Sequence, residues 1–172
     1  MMHFASNSTA KERMTRTVEQ RDRSEIIQIV RATGNFNEEE IAIAAELIDI
    51  YLNQPEQRDY YAFVEDEDGA VAGFLIVGPT PATSGTYDMY WIASHPSFYG
   101  KGISQTLDRF AETFVRERGG YLLIAETSSQ PSYERTRAFY KKQGYTVVSQ
   151  ITDYYKPGDD LVVFGKRVDT LL

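Results

Sequence analysis

The stretch from Thr86 to Thr127 restricts the fold of this chain more than any other. Thr86–Ser94 is dense in aromatic residues and reads as a strand. Pro96–Gly102 is a glycine-bearing loop, and Ile103, Leu107, Phe110, Ala111 and Phe114 recur at helical spacing over Ile103–Glu117. Gly119-Gly120 stops that helix, and Tyr121–Thr127 has the composition of a buried strand. A strand, a helix and a second strand in this order form a crossover, and crossovers join parallel neighbours. The sheet must therefore contain a parallel pair.

Elsewhere the strands read as hairpins. Tyr60–Glu65 and Val71–Val77 flank Asp66–Gly69, and Tyr145–Asp153 and Leu161–Val168 flank a turn at Pro157-Gly158. Thr15–Gln20 is a further short strand. Two helices precede the first hairpin. Asp22 with Glu25 reads as a capping box opening a helix over Arg23–Ala32. Asn37 with Glu40 repeats the pattern for a helix reaching about Asn53, with Ile41, Ala44, Ala45, Ile48 and Leu52 on one face. Tyr133–Gln143 is the last helix, ended by Gly144. The order β α α β β β α β α β β implies a mixed α/β (α+β) sheet of about seven strands, mostly antiparallel, with helices on both faces. Residues 15–172 read as a single domain. Residues 1–14 read as a polar, disordered extension without a signal-peptide core.

Composition removes several classes of function. The chain has no cysteine, so a disulfide framework, a thiolate metal site and a cysteine nucleophile are excluded. Two histidines, His3 and His95, make a multi-histidine metal site a poor expectation. Twenty-five acids against 18 Lys and Arg give a formal charge of −7, which disfavours phosphate-driven nucleic-acid binding. No apolar run is long enough to span a membrane. A cytoplasmic location is the default expectation.

The sharpest chemical signal is Tyr99–Ser104, YGKGIS, between the strand and the helix of the crossover. A helix N-terminus carries unpaired amides and partial positive charge, and glycines let a ligand come close to the backbone. The loop therefore suits phosphate, with Lys101 beside it. It does not match the Walker pattern. Gly100 and Gly102 begin a GxGxxG, but Gln105 stands at the third glycine, so a dinucleotide site is a distant alternative. Taken alone, the loop reads equally well as a tight turn that needs small residues.

With its surroundings, the span from Tyr87 to Tyr145 resembles the GNAT acetyltransferase superfamily. The family's [QR]xxGx[GA] loop matches at Gly102, and its FYxxxGF phrase matches Phe139-Tyr140-Lys141-Lys142-Gln143-Gly144-Tyr145. The element order agrees from Thr15 to Val168. Tyr99 stands where the family has Gln or Arg, Ser104 where it has Gly or Ala, and Tyr133 where many members have Asn. The resemblance implies the acyl-CoA N-acyltransferase fold and transfer of acetyl from acetyl-CoA to an amine, with no metal. It implies that Tyr99, Gly100, Lys101, Gly102, Ile103, Ser104 and Tyr133 surround the cofactor. It also implies that Ile92–Ser94 pair with the pantetheine arm, the Ile92 N–H serving as oxyanion donor.

Acetyl transfer to an amine needs an acceptor for the amine's proton, a donor to the oxyanion and an acid for the leaving thiolate. Tyr140 matches the family tyrosine that faces the sulfur and is the candidate acid; read without the resemblance it is a core tyrosine. Asp88 and Glu126, on strands that splay apart in the family, are the candidate bases; the alternative for each is an ordinary exposed or paired acid. Glu126 is favoured because the apolar run Tyr121–Ala125 leads into it. With no cysteine, direct transfer in a ternary complex is the simplest scheme. Tyr87, Tyr90, Trp91, Phe98, Tyr133 and Tyr140, with Asp88, Glu126, Asp153, Asp159 and Asp160, suit a small cationic or amino-acid-like amine. Alternatively, the aromatics merely fill strands and Asp159-Asp160 follow a turn. A protein amine and a non-catalytic acyl-CoA-binding module are the other readings, and by resemblance such domains are commonly dimeric.

Overall fold

The computed structural model describes residues 13–169. It contains strands β1 (Met14–Thr17), β2 (Tyr61–Glu67), β3 (Ala70–Pro79), β4 (Thr86–Ser94), β5 (Leu122–Ser128), β6 (Thr146–Lys156) and β7 (Asp159–Arg167). The helices are α1 (Arg23–Ala32), α2 (Glu38–Asn53), α3 (Ile103–Glu117) and α4 (Glu134–Lys142). The strands form one seven-stranded sheet in the order β1-β2-β3-β4-β5-β7-β6. Every pairing is antiparallel except β4 with β5, the pair that α3 bridges.

Strand periodicity assigns the two cores. On β2 and β3, Phe63, Leu75 and Val77 point to one face, where Ile103, Leu107, Ala111 and Phe114 of α3 meet them. Ala62, Val64, Phe74 and Ile76 point to the other, against Ile26, Ile29 and Val30 of α1 and Ile41, Ala44 and Ile48 of α2. Burying one such large side chain contributes roughly 1.5–3 kcal/mol. The α3 core continues onto α4 through Tyr140, onto Tyr145 just before β6, and onto β7 through Phe164.

β4 and β5 pair over only three positions, Thr86 with Leu122, Tyr87 with Leu123 and Asp88 with Ile124. Beyond Asp88, β4 follows β3 to the Ser94–Gly73 pair, and β5 follows β7 to the Ser128–Leu161 pair. A bulge lies at the parting: Val77 faces Met89 and Ile76 faces Trp91, leaving Tyr90 as the extra residue. The two central strands thus open a wedge with unpaired backbone along its β4 side.

Local details depart from the sequence reading in three places. Asp22 and Glu25 do not form a capping box. The Asp22 carboxylate instead accepts the Glu19 N–H at 2.8 Å and both prongs of Arg16 at 2.6 and 2.9 Å, and Arg16 also reaches Asp66. Burial pushes the Asp22 carboxyl up, but Arg16 and the Glu19 amide outweigh it and hold it below its ordinary value. Glu25 turns away to accept the Val71 N–H at 3.2 Å. The first strand ends at Thr17, and a 3-10 turn over Gln20–Asp22 leads into α1. The extension read over 1–14 lies outside the described residues as far as residue 12, and Met14 already belongs to β1. The Asn37–Glu40 capping box is present as expected, with bonds of 2.8 and 2.9 Å.

Gly78 stands opposite Asp88, beside the parting, and a Cβ there would lie 1.8 Å from the Asp59 carbonyl oxygen. Backbone fills the space, so no rotamer change can relieve the contact. Gly78→Ala should destabilise the fold by about 2–3 kcal/mol, lowering Tm by roughly 5–10 °C in a thermal melt. A Tm within a degree or two of wild type would show that Asp59 yields freely.

Candidate functional site at the parting of the central strands

The loop after β4 is shaped before any ligand arrives. His95 accepts the Ser97 N–H at 3.2 Å and lies 2.7 Å from the Ser97 hydroxyl, which starts a 3-10 turn over Pro96–Phe98. This histidine is a structural cap. Gly100 and Gly102 adopt φ of +81° and +77°, the left-handed region that favours glycine. No atom lies within 4 Å of a Cβ built at Gly100, and only the Gln105 side chain, at 3.8 Å, approaches one at Gly102. These glycines serve backbone shape, with open space on the side where side chains would stand. Gly102 is the N-cap of α3 and no side chain caps it, so the first-turn amides are available to a ligand. The Ser104 hydroxyl donates to that of Ser94 at 3.3 Å, pinning the helix start to the end of β4.

A cleft of about 530 Å³ opens in front of this helix start. Ile92, Ala93 and Ser94 form its floor, Tyr99, Gly100, Gly102, Ile103 and Ser104 one wall, and Ser132, Arg135, Thr136, Phe139, Lys142 and Gln143 the other. Thr33, Asn35 and Phe36 of the α1–α2 loop border it. No lining residue is an Asp or Glu, although the chain has 25 of them, and two are cations. Glycine backbone, uncapped amides and this charge pattern fit a large phosphate-bearing ligand such as CoA.

The residues expected around the cofactor divide. Ile92, Ser94, Tyr99, Gly100, Gly102, Ile103 and Ser104 line the cleft, whereas Lys101 and Tyr133 do not. The Lys101 ammonium lies 5.0 Å from the centre of the Phe98 ring. Tyr133 donates its hydroxyl to the Asn35 carbonyl at 3.0 Å and sets its ring edgewise on Phe36, which packs on Trp91 at 4.5 Å. It is a strut between the start of α4 and the α1–α2 loop. Arg135, Thr136, Phe139, Lys142 and Gln143 were missed in the sequence reading. Helical spacing of three and four residues back and forward from Phe139 would have found them.

Tyr140 lies beside that stripe and does not line the cleft: it is buried in the α3 core, packed on Tyr145 and Phe164 with centroids 5.3 Å away in each case. Burial first, and the charge of Asp108 second, push its phenol well above the ordinary value. Asp88 and Glu126 lie on the opposite face of the sheet. Asp88 closes the β4–β5 ladder opposite Ile124, and Glu126 follows two residues later on the same face. Partial burial raises the Asp88 carboxyl, and a 2.8 Å bond from the Thr80 hydroxyl opposes it. Glu126 is exposed, so it is not the buried strand end that Tyr121–Ala125 suggested, yet desolvation by the surrounding protein still raises its carboxyl, with the charge of Asp88 adding to it. The two carboxylates therefore share one electrostatic environment on one face of the sheet, Asp88 from β4 and Glu126 from β5. The β6–β7 acids serve the hairpin: Asp153 accepts the Gly158 N–H, Asp160 accepts the Asp153 N–H, and the Ser128 hydroxyl donates to buried Asp159. Among the described residues, no group of three His, Asp or Glu side chains could hold a metal, and no helix is long and apolar enough to cross a membrane.

Residues 25–145 match the profile of the acetyltransferase (GNAT) family. A crystal structure from Desulfovibrio desulfuricans, of a protein assigned to the GNAT acetyltransferases, is 36% identical, with 91% of this chain and 99% of that one covered and a TM-score of 0.88. The ribosomal-protein-S18-alanine N-acetyltransferase of Escherichia coli shares the fold at 16% identity, TM-score 0.72, over 94% and 97% of the two chains. An aminoglycoside 6′-N-acetyltransferase complexed with coenzyme A does so at 14% identity, TM-score 0.72, over 92% and 99%. No curated protein sequence matches the chain significantly.

Behind Tyr140, the Tyr145 hydroxyl donates to Asp108 at 2.8 Å, and the other Asp108 oxygen has no hydrogen-bond partner. Burial pushes this carboxyl up to about 6, against the Tyr145 bond and the Lys166 charge 4.0 Å away. A carboxyl with a raised folded-state pKa holds a proton that the unfolded chain has lost, so its contribution to stability falls as pH rises from about 4 to about 6. Asp108→Asn keeps an acceptor for Tyr145 and removes the titration. The stability of the variant minus that of wild type should grow by about 2 kcal/mol between pH 4 and pH 7.5, measured by urea unfolding. A difference independent of pH would mean that Asp108 titrates normally.

Proposed function

This chain belongs to the acetyltransferase (GNAT) family, and from that premise we propose that it transfers acetyl from acetyl-CoA directly to a primary amine of a small cationic acceptor. The observation that carries this reading is the division of charge across the β4–β5 wedge. The cleft on one side has two cations and no carboxylate among its lining residues. Asp88 and Glu126 stand together on the other side, close enough for the charge of one to raise the other.

In this reading the first-turn amides of α3 and the backbone of Gly100 and Gly102 hold the diphosphate, and the free β4 edge at Ile92–Ser94 pairs with the pantetheine arm. Acetyl-CoA supplies the thioester carbon that the amine attacks. The Ile92 N–H, on the floor of the cleft, donates in this reading to the oxygen that gains charge. Glu126 or Asp88, each raised toward neutrality by its surroundings, accepts the amine's proton, directly or through water. Tyr140, its phenol kept protonated by burial, hands a proton to the departing sulfur. Tyr90, on the same side of the wedge as the carboxylates, offers an aromatic face to a cation, and its phenol is likewise pushed up to about 12 by burial and by Asp88. With no cysteine in the chain, transfer without a cysteinyl acyl-enzyme is the simplest route.

Thiol release from acetyl-CoA, followed over a panel of amines, tests the reading. Small cationic amines should turn over faster than neutral or acidic ones, and Glu126→Gln should narrow that preference. Tyr140→Phe should lower kcat on the order of ten- to a hundredfold while leaving the KM for acetyl-CoA within about twofold. Unchanged kcat in that variant removes Tyr140 as the acid, and equal rates across the panel remove the cationic acceptor.

A further inference from the structure

Arg135, on the first turn of α4, holds its guanidinium 4.0 Å above the ring of Tyr99, across the mouth of the cleft. Both residues line the cleft and both are exposed. Arg16, Arg23, Arg31 and Arg167 each sit on a carboxylate, but Arg135 makes no ion pair among the described residues. An unneutralised cation on the surface of a chain of charge −7 is therefore parked on an aromatic face. Tyr99 immediately precedes Gly100, so the guanidinium stands over the start of the glycine loop. Lys101, the loop's own cation, lies against Phe98 and does not line the cleft.

We infer that Arg135 is the side chain that binds the diphosphate of the CoA moiety and that Tyr99 is the platform that holds it in place. The inference rests on the acetyl-CoA reading of the cleft. The backbone amides of the loop and α3 reach the diphosphate from one side, and the planar guanidinium closes on it from the other with two parallel donors. Stacking on Tyr99 restricts the arginine before the ligand arrives, so less side-chain freedom is lost on binding. The loop's own cation does not line the cleft, so the cation over the glycines comes from the next helix.

Calorimetric titration of the unliganded protein with CoA, dephospho-CoA and pantetheine tests this without turnover. Arg135→Ala should weaken CoA and dephospho-CoA alike, by about tenfold or more, and leave pantetheine, which lacks the diphosphate, unchanged. Tyr99→Ala should weaken both nucleotides by a smaller factor. Tyr99→Arg combined with Arg135→Ala, which places a guanidinium at the same spot from the loop, should restore most of the lost affinity. Arg135 is exposed and alanine is a good helix former, so the melting temperature of the unliganded variant should match wild type. Loss for CoA but not for dephospho-CoA would assign Arg135 to the 3′-phosphate and overturn the inference. Equal loss for pantetheine, or no loss at all, would also overturn it. Failure of the unaltered protein to bind CoA would instead remove the reading of the cleft, and this inference with it.

Discussion

Two neighbouring parallel strands that stop pairing after three residues shape the whole molecule. β4 and β5 are held together at Thr86–Asp88 and then pulled apart, because each has a stronger antiparallel partner on its other side. The bulge at Tyr90 turns β4 outward at the point of parting. Unpaired backbone inside a sheet is normally costly, since each amide and carbonyl needs a partner. Here the exposed edge fronts a cleft, where a ligand with its own amides can complete the ladder. The helix that bridges the two strands starts at that same cleft, so its N-terminal field reaches the same ligand.

The charge distribution follows from this architecture. On the proposed reading a chain of charge −7 has to accept a polyanion; the cleft has no carboxylate among its lining residues, and Asp88 and Glu126 stand away from it. On that reading backbone amides, whose partial charges do not depend on composition, face the ligand from one wall. Side chains of α4 face them on the other. The same partition places the buried Tyr140 on the α3 and α4 face and the two acids on the other, with the wedge between them.

Much of this was legible along the chain, element by element. Helical spacing and the Asn37–Glu40 box gave α2, and the spacing of Ile103 to Phe114 gave α3 with its observed bounds. The turn at Asp68-Gly69 adopts φ of +55° and +81°, as its composition suggested. The glycine loop was visible as an anion site, and seven of its nine associated residues line the cleft. Asp22 was misread because a carboxylate before a helix looks like a cap whether or not an arginine from a strand has claimed it. Lys101 was expected at the ligand because it stands in the loop, yet the aromatic ring of Phe98 holds it elsewhere.

By itself, the sequence determined the features that rest on local pattern: the order of elements, the parallel crossover, the glycines at left-handed positions and the absence of a cysteine nucleophile. Tertiary structure decided the features that depend on approach between distant segments. It buried Tyr140 against Tyr145 and Phe164, brought Asp88 and Glu126 into one field, and set Arg135 on Tyr99 across the cleft. The physical reason is range. Backbone propensity and periodicity act over a few residues, whereas the charge at a site is summed over everything that folding brings within several ångströms.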